Sequence, residues 1–522
     1  MNRNCISKYL IFALLFFAMA LSGSPAQEAR VLTYEEAIDV ALNRSFTVKS
    51  NMANREEMQH NYEYFMAMFK PRIDFSMFAP SWRENVAPIQ RTDGLPVYNS
   101  TGLMQLGGDL KYTYMLPTGG NFALSTQLYR ERLKTVLAMQ DYKELGSKQA
   151  YSSLSVSFSQ PILTKNTLRE NLQEAEYWYE RSSSQFTRGQ INIIYRVTDG
   201  FYALYRATRE VEIASERLAN SEEAFRIAKL KGETGRIPEG DVLIAEIEAS
   251  QNRASLLEQE GALERAKDAF IQLIGLEQSE DVRIVTDLKY DTFDVNMDKA
   301  IGEALKNRME IYESELDIKL QEISIDKAKR VRELSGEITA YYDLTGVSTM
   351  GSGSTGDLFE SSFDNFVDRP PNRGVTLTLS YPVFDWGRGA AQVQREEVSL
   401  KEKQLRQEDT KRTIVREVKD IVRRVEETGN RLLIQEKNQP IAQRSYEISR
   451  MRFENGDITS QELGREQERL TDSQLQYLSA FISYQLAVAD LKRKTLWDFK
   501  NDQSYIVDTG YTVEDKRQKA KG

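Results

Sequence analysis

Two kinds of hydrophobic patterning alternate along this chain. From Leu168 to Leu273 and from Ala390 to Leu496 the sequence is rich in Glu, Arg, Gln, Ala and Leu, with proline only at Pro238 and Pro440. Such length and composition predict long helices packed as coiled coils. Between these blocks the side chains alternate with period two, the pattern of strands whose faces meet different surroundings. Ile73, Phe75 and Met77 form one series, and Leu110, Tyr112, Tyr114 and Leu116 a second. After the turn Pro117-Thr118-Gly119-Gly120 come Phe122, Leu124, Thr126 and Leu128, and Leu154, Val156 and Phe158 then alternate with serines. The second half repeats the pattern with Ile338, Ala340 and Tyr342 and with Val375, Leu377, Leu379 and Tyr381. One face of every such strand is apolar and aromatic, the other small and polar.

A single strand of this kind reads as part of a β-sandwich with one wet face. The set reads differently. A short Pro-Thr-Gly-Gly turn at one end and long Gly/Ser/Asp/Asn-rich connections at the other, from Ser81 to Gln105 and from Ser348 to Arg373, predict the short and long loops of a transmembrane barrel. Past the N-terminus no uninterrupted apolar run reaches about 18 residues, so a spanning helix is excluded.

Internal repetition turns these elements into an architecture. "EEAIDVALNRS" at Glu35 to Ser45 is echoed by "DKAIGEALKNR" at Asp298 to Arg308. "FSQP" at Phe158 to Pro161 returns as "LSYP" at Leu379 to Pro382, and "ETGRI" at Glu233 to Ile237 as "ENGDI" at Glu454 to Ile458, both 221 residues later. The chain reads as two copies of one unit. From Pro161 to Gly235 and from Pro382 to Gly456 the interval is 74 residues in each half. As α-helix, most of that interval spans roughly 100 Å. Each half is expected to run helix, strands, long outgoing helix, Gly turn, long returning helix. Pro161 and Pro382 are expected to stop the strands, and Gly387 and Gly389 to loosen the passage into the second rod.

Composition then fixes the compartment. Arg3 and Lys8 precede an apolar run from Tyr9 to Leu21, followed by Ser24-Pro25-Ala26, the signature of a secretory signal peptide cut after Ala26. Removing 26 residues also removes Cys5, the sole cysteine of the 522-residue chain, so disulfide and thiolate chemistry are excluded. The formal charge is −9, which argues against nucleic acid as a partner. Charged residues reach 28% and mean hydropathy is −0.52, yet Tyr numbers 25 and Phe 22, because the charge sits in the helical blocks and the aromatics in the strands.

Enzyme chemistry finds little to work with. The chain has one histidine, His60, on a helix-patterned segment, and no Gly-x-Ser-x-Gly elbow, phosphate loop or cluster of metal ligands. Its 78 acidic residues guarantee close carboxylate pairs, but with 69 basic residues these read as solvated helix faces and ion pairs. No catalytic, cofactor or metal site is expected.

The chain resembles the TolC-like outer-membrane efflux proteins. The resemblance covers nearly the whole chain beyond the signal peptide: "LTYEEAIDVALNRS" at the start, "FSQPIL" and "LSYPVFDWGRG" at the strand-to-helix junctions, and the two Gly turns. It implies a mixed α+β membrane protein, a homotrimer whose protomers jointly close one β-barrel continued by a periplasmic barrel of long helices. Family members commonly contribute four strands each; the additional hairpin from Leu106 to Arg130 implies six or a further elaboration. The expected division is signal peptide 1–26, N-terminal helices 27–70, strands and loops 71–163, and a helical hairpin 164–274 with its tip near 232–241. An equatorial linker with the first helices of the second repeat follows at 275–334, then strands 335–386, a hairpin 387–496 with its tip near 454–462, and a tail 497–522.

The implied function is an outer-membrane channel of a tripartite efflux or type I secretion system. It would pass small molecules or proteins outward from a periplasmic adaptor and an inner-membrane transporter, with outer-membrane lipid around it and no cofactor. The alternative is a periplasmic coiled-coil adaptor or scaffold without a pore of its own. In the resembled family the rods converge at an entrance closed by hydrogen bonds and salt bridges and ringed by acids. Asp241 matches the acidic partner on the first hairpin, and Glu462 the first ring position. Phe453 takes the place of a tyrosine, Ile458 that of a bridging arginine, and Arg465 that of the second acid. The resemblance therefore implies that Asp241 or Glu462 pairs with Arg465 or Arg236 instead. The tips, with Gly235, Arg236, Ile237, Gly456 and Asp457, are expected to meet the adaptor.

Overall fold

The computed structural model describes residues 30–90, 92–138, 143–285, 290–348 and 354–505. The expected signal peptide and the last part of the expected tail lie outside the described residues. The chain divides into two compact units, one comprising residues up to Arg55, Ser183–Glu313 and Gln407 onward, the other Glu56–Ser182 and Ser314–Arg406.

The second unit carries a six-stranded sheet in the order β2-β3-β4-β5-β7-β8, antiparallel throughout. Its strands are β2 (Arg72–Gln90), β3 (Pro96–Met115), β4 (Asn121–Leu137), β5 (Lys143–Ile162), β7 (Ser335–Val347) and β8 (Asn372–Ser380). The alternation seen in the sequence sets the register. One row across all six strands is Asp74, Lys111, Ser125, Ser155, Asp343 and Asn372. The next row, on the opposite face, is Ile73, Tyr112, Leu124, Val156, Tyr342 and Arg373. Directly opposed residues share a face, so a one-residue slip would exchange these rows and put Asp74 among the aromatics.

Three expectations about this unit are corrected. Residues 81–90 and 96–105 are strands, not loop: Ser81 pairs with Gln105 and the ladder runs on to Gln90 opposite Pro96. Here backbone pairing continues past a bulge between Phe78 and Ser81, beyond the reach of the alternating pattern. The segment 348–373 contains helix α7 (Thr355–Asp368), started by a capping box in which Ser354 and Asp357 satisfy each other's backbone N–H. Leu358 anchors α7 from a fully buried position. Finally, Pro161 does not stop β5, which runs on to Ile162. Partner β4 ends at Asn121 opposite Ser159, so past that row the edge requires no donor and proline is tolerated. Pro382 does fall just beyond the end of β8.

At the junction after β8, Gly387 adopts φ +82, a left-handed turn suited to glycine. Helix α8 (Arg388–Asn455) begins at once, so Gly389 lies in its first turn. The Asp385 carboxylate accepts from the Gly387 N–H at 3.0 Å and the Gly389 N–H at 2.7 Å. These bonds hold its pKa below the ordinary carboxylate value. The passage expected to be loose is thus fastened by a carboxylate on otherwise unpaired helix N–H groups.

Helices α3 (Thr167–Glu233) and α8 have 67 and 68 residues, and α4 (Glu239–Ile274) and α9 (Ser460–Thr495) have 36 each. The first unit holds α1 (Tyr34–Arg44), α4, α5 (Met297–Asn307), α9 and parts of α3 and α8. Here β1 (Arg30–Leu32) pairs in parallel with β6 (Val282–Ile284), and β9 (Trp497–Asp498) pairs with β10 (Gln503–Ser504). One apolar cluster in this unit joins Leu32, Val40, Phe201, Phe270 and Ile274; another joins Tyr202, Ile414, Ile421, Leu432 and Phe481. Burial of such side chains, ~1.5–3 kcal/mol each, holds helices too polar to stand alone. Residues α2 (Phe46–Ala67) and α6 (Met309–Arg330) complete the helices of the described chain.

Candidate functional site

The two long-helix turns are built alike. After α3, Gly235 takes φ +71, its N–H donates to the Gly232 carbonyl at 2.9 Å, and the Arg236 N–H reaches back to the Lys231 carbonyl at 2.9 Å. After α8, Gly456 takes φ +89, its N–H donates to Phe453 O at 3.0 Å, and the Asp457 N–H to Arg452 O at 2.9 Å. Both are glycine-closed helix ends in which the residue past the glycine reaches back across the last turn. The returning helices start differently. Pro238 precedes α4 without a side-chain cap, whereas Thr459 and Glu462 form a capping box on α9.

Packing under the tips uses residues of both hairpins. Phe453 is 2% exposed and clusters with Ala228, Ala245, Tyr446, Leu463 and Leu470, and Ile237 and Ile458 pack against the same cluster. Burial pushes the Tyr446 hydroxyl up to about 12. Phenylalanine suits position 453 because a phenol there would have to hide a hydroxyl among apolar groups. Lys231 closes this cluster: its Nζ lies 4.8 Å from the centre of the Phe453 ring and donates a hydrogen bond to the Phe453 carbonyl. Sequence reasoning overlooked Lys231. In a charged helix one lysine looks like any solvated side chain, and only its position four residues before Gly235 hinted otherwise.

The polar candidates fare unevenly. Among the described residues, neither Asp241 nor Glu462 forms an ion pair with Arg236 or Arg465, so the expected exchange of partners is not made within one chain. Glu462 is engaged locally: the Thr459 N–H donates to its carboxylate at 2.9 Å, and the Glu462 N–H donates to the Thr459 hydroxyl at 3.3 Å. Those bonds first, and the Arg465 and Arg452 charges last, hold its pKa below the ordinary value. The Asp241 N–H closes a turn to the Pro238 carbonyl at 3.1 Å. Arg236, Asp457, Glu462 and Arg465 are exposed; Asp241, Ile237 and Ile458 are half-buried.

The sheet supplies the other candidate surface. On its polar face Ser155 donates to the Asp343 carboxylate, and Ser159 to Glu337 at 2.6 Å. On its opposite face apolar side chains stand in the open: Ile73 is 67% exposed, Phe75 71%, Val375 77%. A row of hydroxyls and carboxylates backed by exposed aromatics suits a wall between water and lipid. Among the described residues no helix is long and apolar enough to cross a membrane, and His60 lies exposed on α2, where its Nδ1 meets Glu63 at 3.0 Å.

Comparison with known proteins agrees with this geometry. The family described as "Outer membrane efflux protein" matches residues 121–276 and 300–495. The Campylobacter jejuni CmeC outer membrane channel is similar in fold with TM-score 0.63 at 14% identity, over 96% of this chain and 94% of that one. Vibrio cholerae VceC gives 0.62 at 14% identity, over 88% and 95% of the two chains. The open state of the Neisseria gonorrhoeae MtrE outer membrane channel gives 0.61 at 14%, over 88% of each. No curated protein matches the chain.

Proposed function

The chain belongs to the outer membrane efflux protein family, and from that membership we propose that three copies close one barrel in the outer membrane, continued by their helical hairpins as a passive conduit. The observation that carries this reading is the sheet, with one apolar exposed face, one polar face and two edges, β2 and β8, that are unpaired among the described residues. In lipid each unpaired edge group costs several kcal/mol, so an open sheet of this kind needs partners at both edges. Pairing β8 of one copy with β2 of the next satisfies them. Three six-stranded sheets give eighteen strands, a size that leaves an aqueous channel. On β5 the apolar face runs from the row of Ser152 to that of Ile162, ten residue steps. At ~3.4 Å per residue and a tilt of ~40° this is a band about 25 Å tall, the height of the hydrocarbon core.

The two tips form the periplasmic end of the conduit, where the exposed Arg236 and Asp457 and the half-buried Ile237, around Gly235 and Gly456, meet a periplasmic adaptor, and through it an inner-membrane transporter. Asp241, Glu462 and Arg465 line the entrance and find their partners across subunit boundaries. Opening is a shift between two packings of the inner helices, biased by the adaptor. Fractionation and planar-bilayer recording of the purified protein test the reading. A heat-resistant trimer in the outer-membrane fraction, with conductance altered by Glu462→Gln or Arg465→Ala, is expected. A pore-free periplasmic monomer would overturn the channel, and unchanged conductance and selectivity in both variants would overturn the entrance assignment.

A further inference from the structure

Above the apolar band the same sheet face changes character. The rows that continue it on β3, β4 and β5 are Leu106, Arg130 and Ala150, then Met104, Arg132 and Lys148, then Gly102, Lys134 and Gly146. Arg132 and Lys148 are register partners, two cations directly opposed across a strand pair, an arrangement that destabilises a sheet unless something neutralises it. The nearby carboxylates of this face do not. Glu144 is 2.7 Å from Lys134, and Glu84, opposite Gly102, accepts from the Ser100 hydroxyl. Neither Arg132 nor Lys148 has an ion-pair partner among the described residues, and Arg132 is exposed.

Helix α7 borders this strip on the same face. Its seat is the row of Leu128, Ser152 and Gly346, the top of the apolar band. The Ser152 and Ser362 hydroxyls lie 2.8 Å apart, and a Cβ on Gly346 would fall 1.9 Å from the Ser362 carbonyl oxygen. Arg130 Nη1 donates to the Thr355 hydroxyl at 2.8 Å, tying the first turn of α7 to the basic rows. Away from its seat α7 exposes Phe363 (50%) and Val367 (88%), apolar side chains one turn apart.

A basic pair without counter-charge, directly above an apolar band and beside a helix with an exposed apolar flank, has the chemistry of a lipid headgroup boundary. We propose that this strip binds the phosphate of an outer-leaflet lipid, with Arg132 and Lys148 as its ligands and the Phe363 and Val367 flank of α7 set among the acyl chains. The bound phosphate relieves the repulsion between the two cations, and the lipid fixes α7 on the barrel wall. The inference rests on the reading that the apolar face looks into lipid.

Titrating the detergent-solubilised full-length protein with phosphatidylglycerol or with phosphatidylcholine, and counting retained lipid by native mass spectrometry, tests it. The protein is expected to retain phosphatidylglycerol in preference to phosphatidylcholine, and equal added inorganic phosphate leaves that lipid bound. The double variant R132Q/K148Q is expected to bind phosphatidylglycerol roughly 25-fold more weakly, about fivefold per basic group. Lys134→Gln, already paired with Glu144, has a smaller effect. The double variant removes a like-charge pair, so its lipid-free thermal stability does not fall; weaker binding then cannot be blamed on misfolding. Equal retention of the two lipids, an unaffected double variant, or displacement of the lipid by inorganic phosphate each overturns the proposal. Bilayer conductance of the same preparations reports separately on the channel reading, since the strip lies outside the lumen.

Discussion

Replacing Lys231 by methionine isolates the contact that closes the hairpin tips. Methionine keeps the length and the aliphatic stem but loses the charge and the donor. The charged hydrogen bond to the Phe453 carbonyl is worth ~1.5–3 kcal/mol, and because Lys231 is half-buried the lower end applies. The cation over the Phe453 ring adds ~0.5–1 kcal/mol, which a thioether on the same ring largely replaces. The net loss is therefore about 1.5 kcal/mol, roughly tenfold in the equilibrium for local opening. Hydrogen exchange followed by mass spectrometry reads this directly. Amides of the peptide 446–463 are expected to exchange about tenfold faster in Lys231→Met, while peptide 414–425, in a different apolar cluster, is unchanged. Lys231→Arg, which restores charge and donors, returns the rate toward the original. Equal exchange in Lys231→Met and the parent protein, or failure of arginine to restore it, would refute the assignment of Lys231 as the clasp.

Two further outcomes follow from the same geometry. The folded pKa of Glu462 is lowered from 4.5, so its capping contribution is complete above that unfolded value and is lost as pH falls through the lower folded value; Glu462→Gln should abolish this acid-dependent fraying of 459–463, seen as hydrogen exchange across pH 5 to 3. Gly346→Ala would force a methyl to within 1.9 Å of the Ser362 carbonyl oxygen, a clash with backbone that costs ~1–3 kcal/mol and unseats α7. Limited proteolysis between residues 354 and 371 should accelerate in that variant, and an unchanged cleavage rate would show that α7 does not depend on this approach.

Much of the molecule is legible in one dimension, and the reasons are local. Strands β3, β4, β5, β7 and β8 announce themselves because each alternates apolar or aromatic residues with mostly small or polar ones, a pattern that survives only if the two faces meet different media. The long helices and their two turns follow from composition and from Gly235 and Gly456, whose positive φ makes glycine necessary. Residues 81–90 and 96–105 read as a loop because they lack alternation; they are strands because a neighbouring backbone offers hydrogen bonds, whatever the side chains are. Helix α7 was hidden for the opposite reason: its capping box is local, but a short helix in a Gly/Ser-rich stretch needs Leu358 buried against the sheet to persist.

The site divides along the same line. That Phe453 differs from the tyrosine of the resembled family, and that Ile458 and Arg465 change the charges of the tip, can be read from the sequence alone. What each does there cannot. Phe453 is an apolar keystone held by Lys231, 222 positions earlier in the chain, and Glu462 is a helix cap before it is anything else. The opposed cations Arg132 and Lys148 sit sixteen residues apart and become neighbours only through register. Periodicity and turn chemistry act between near neighbours and so are written in the order of residues. Burial, cross-hairpin contacts and the meeting of charges depend on which distant segments the fold brings together, and these the tertiary structure alone decides.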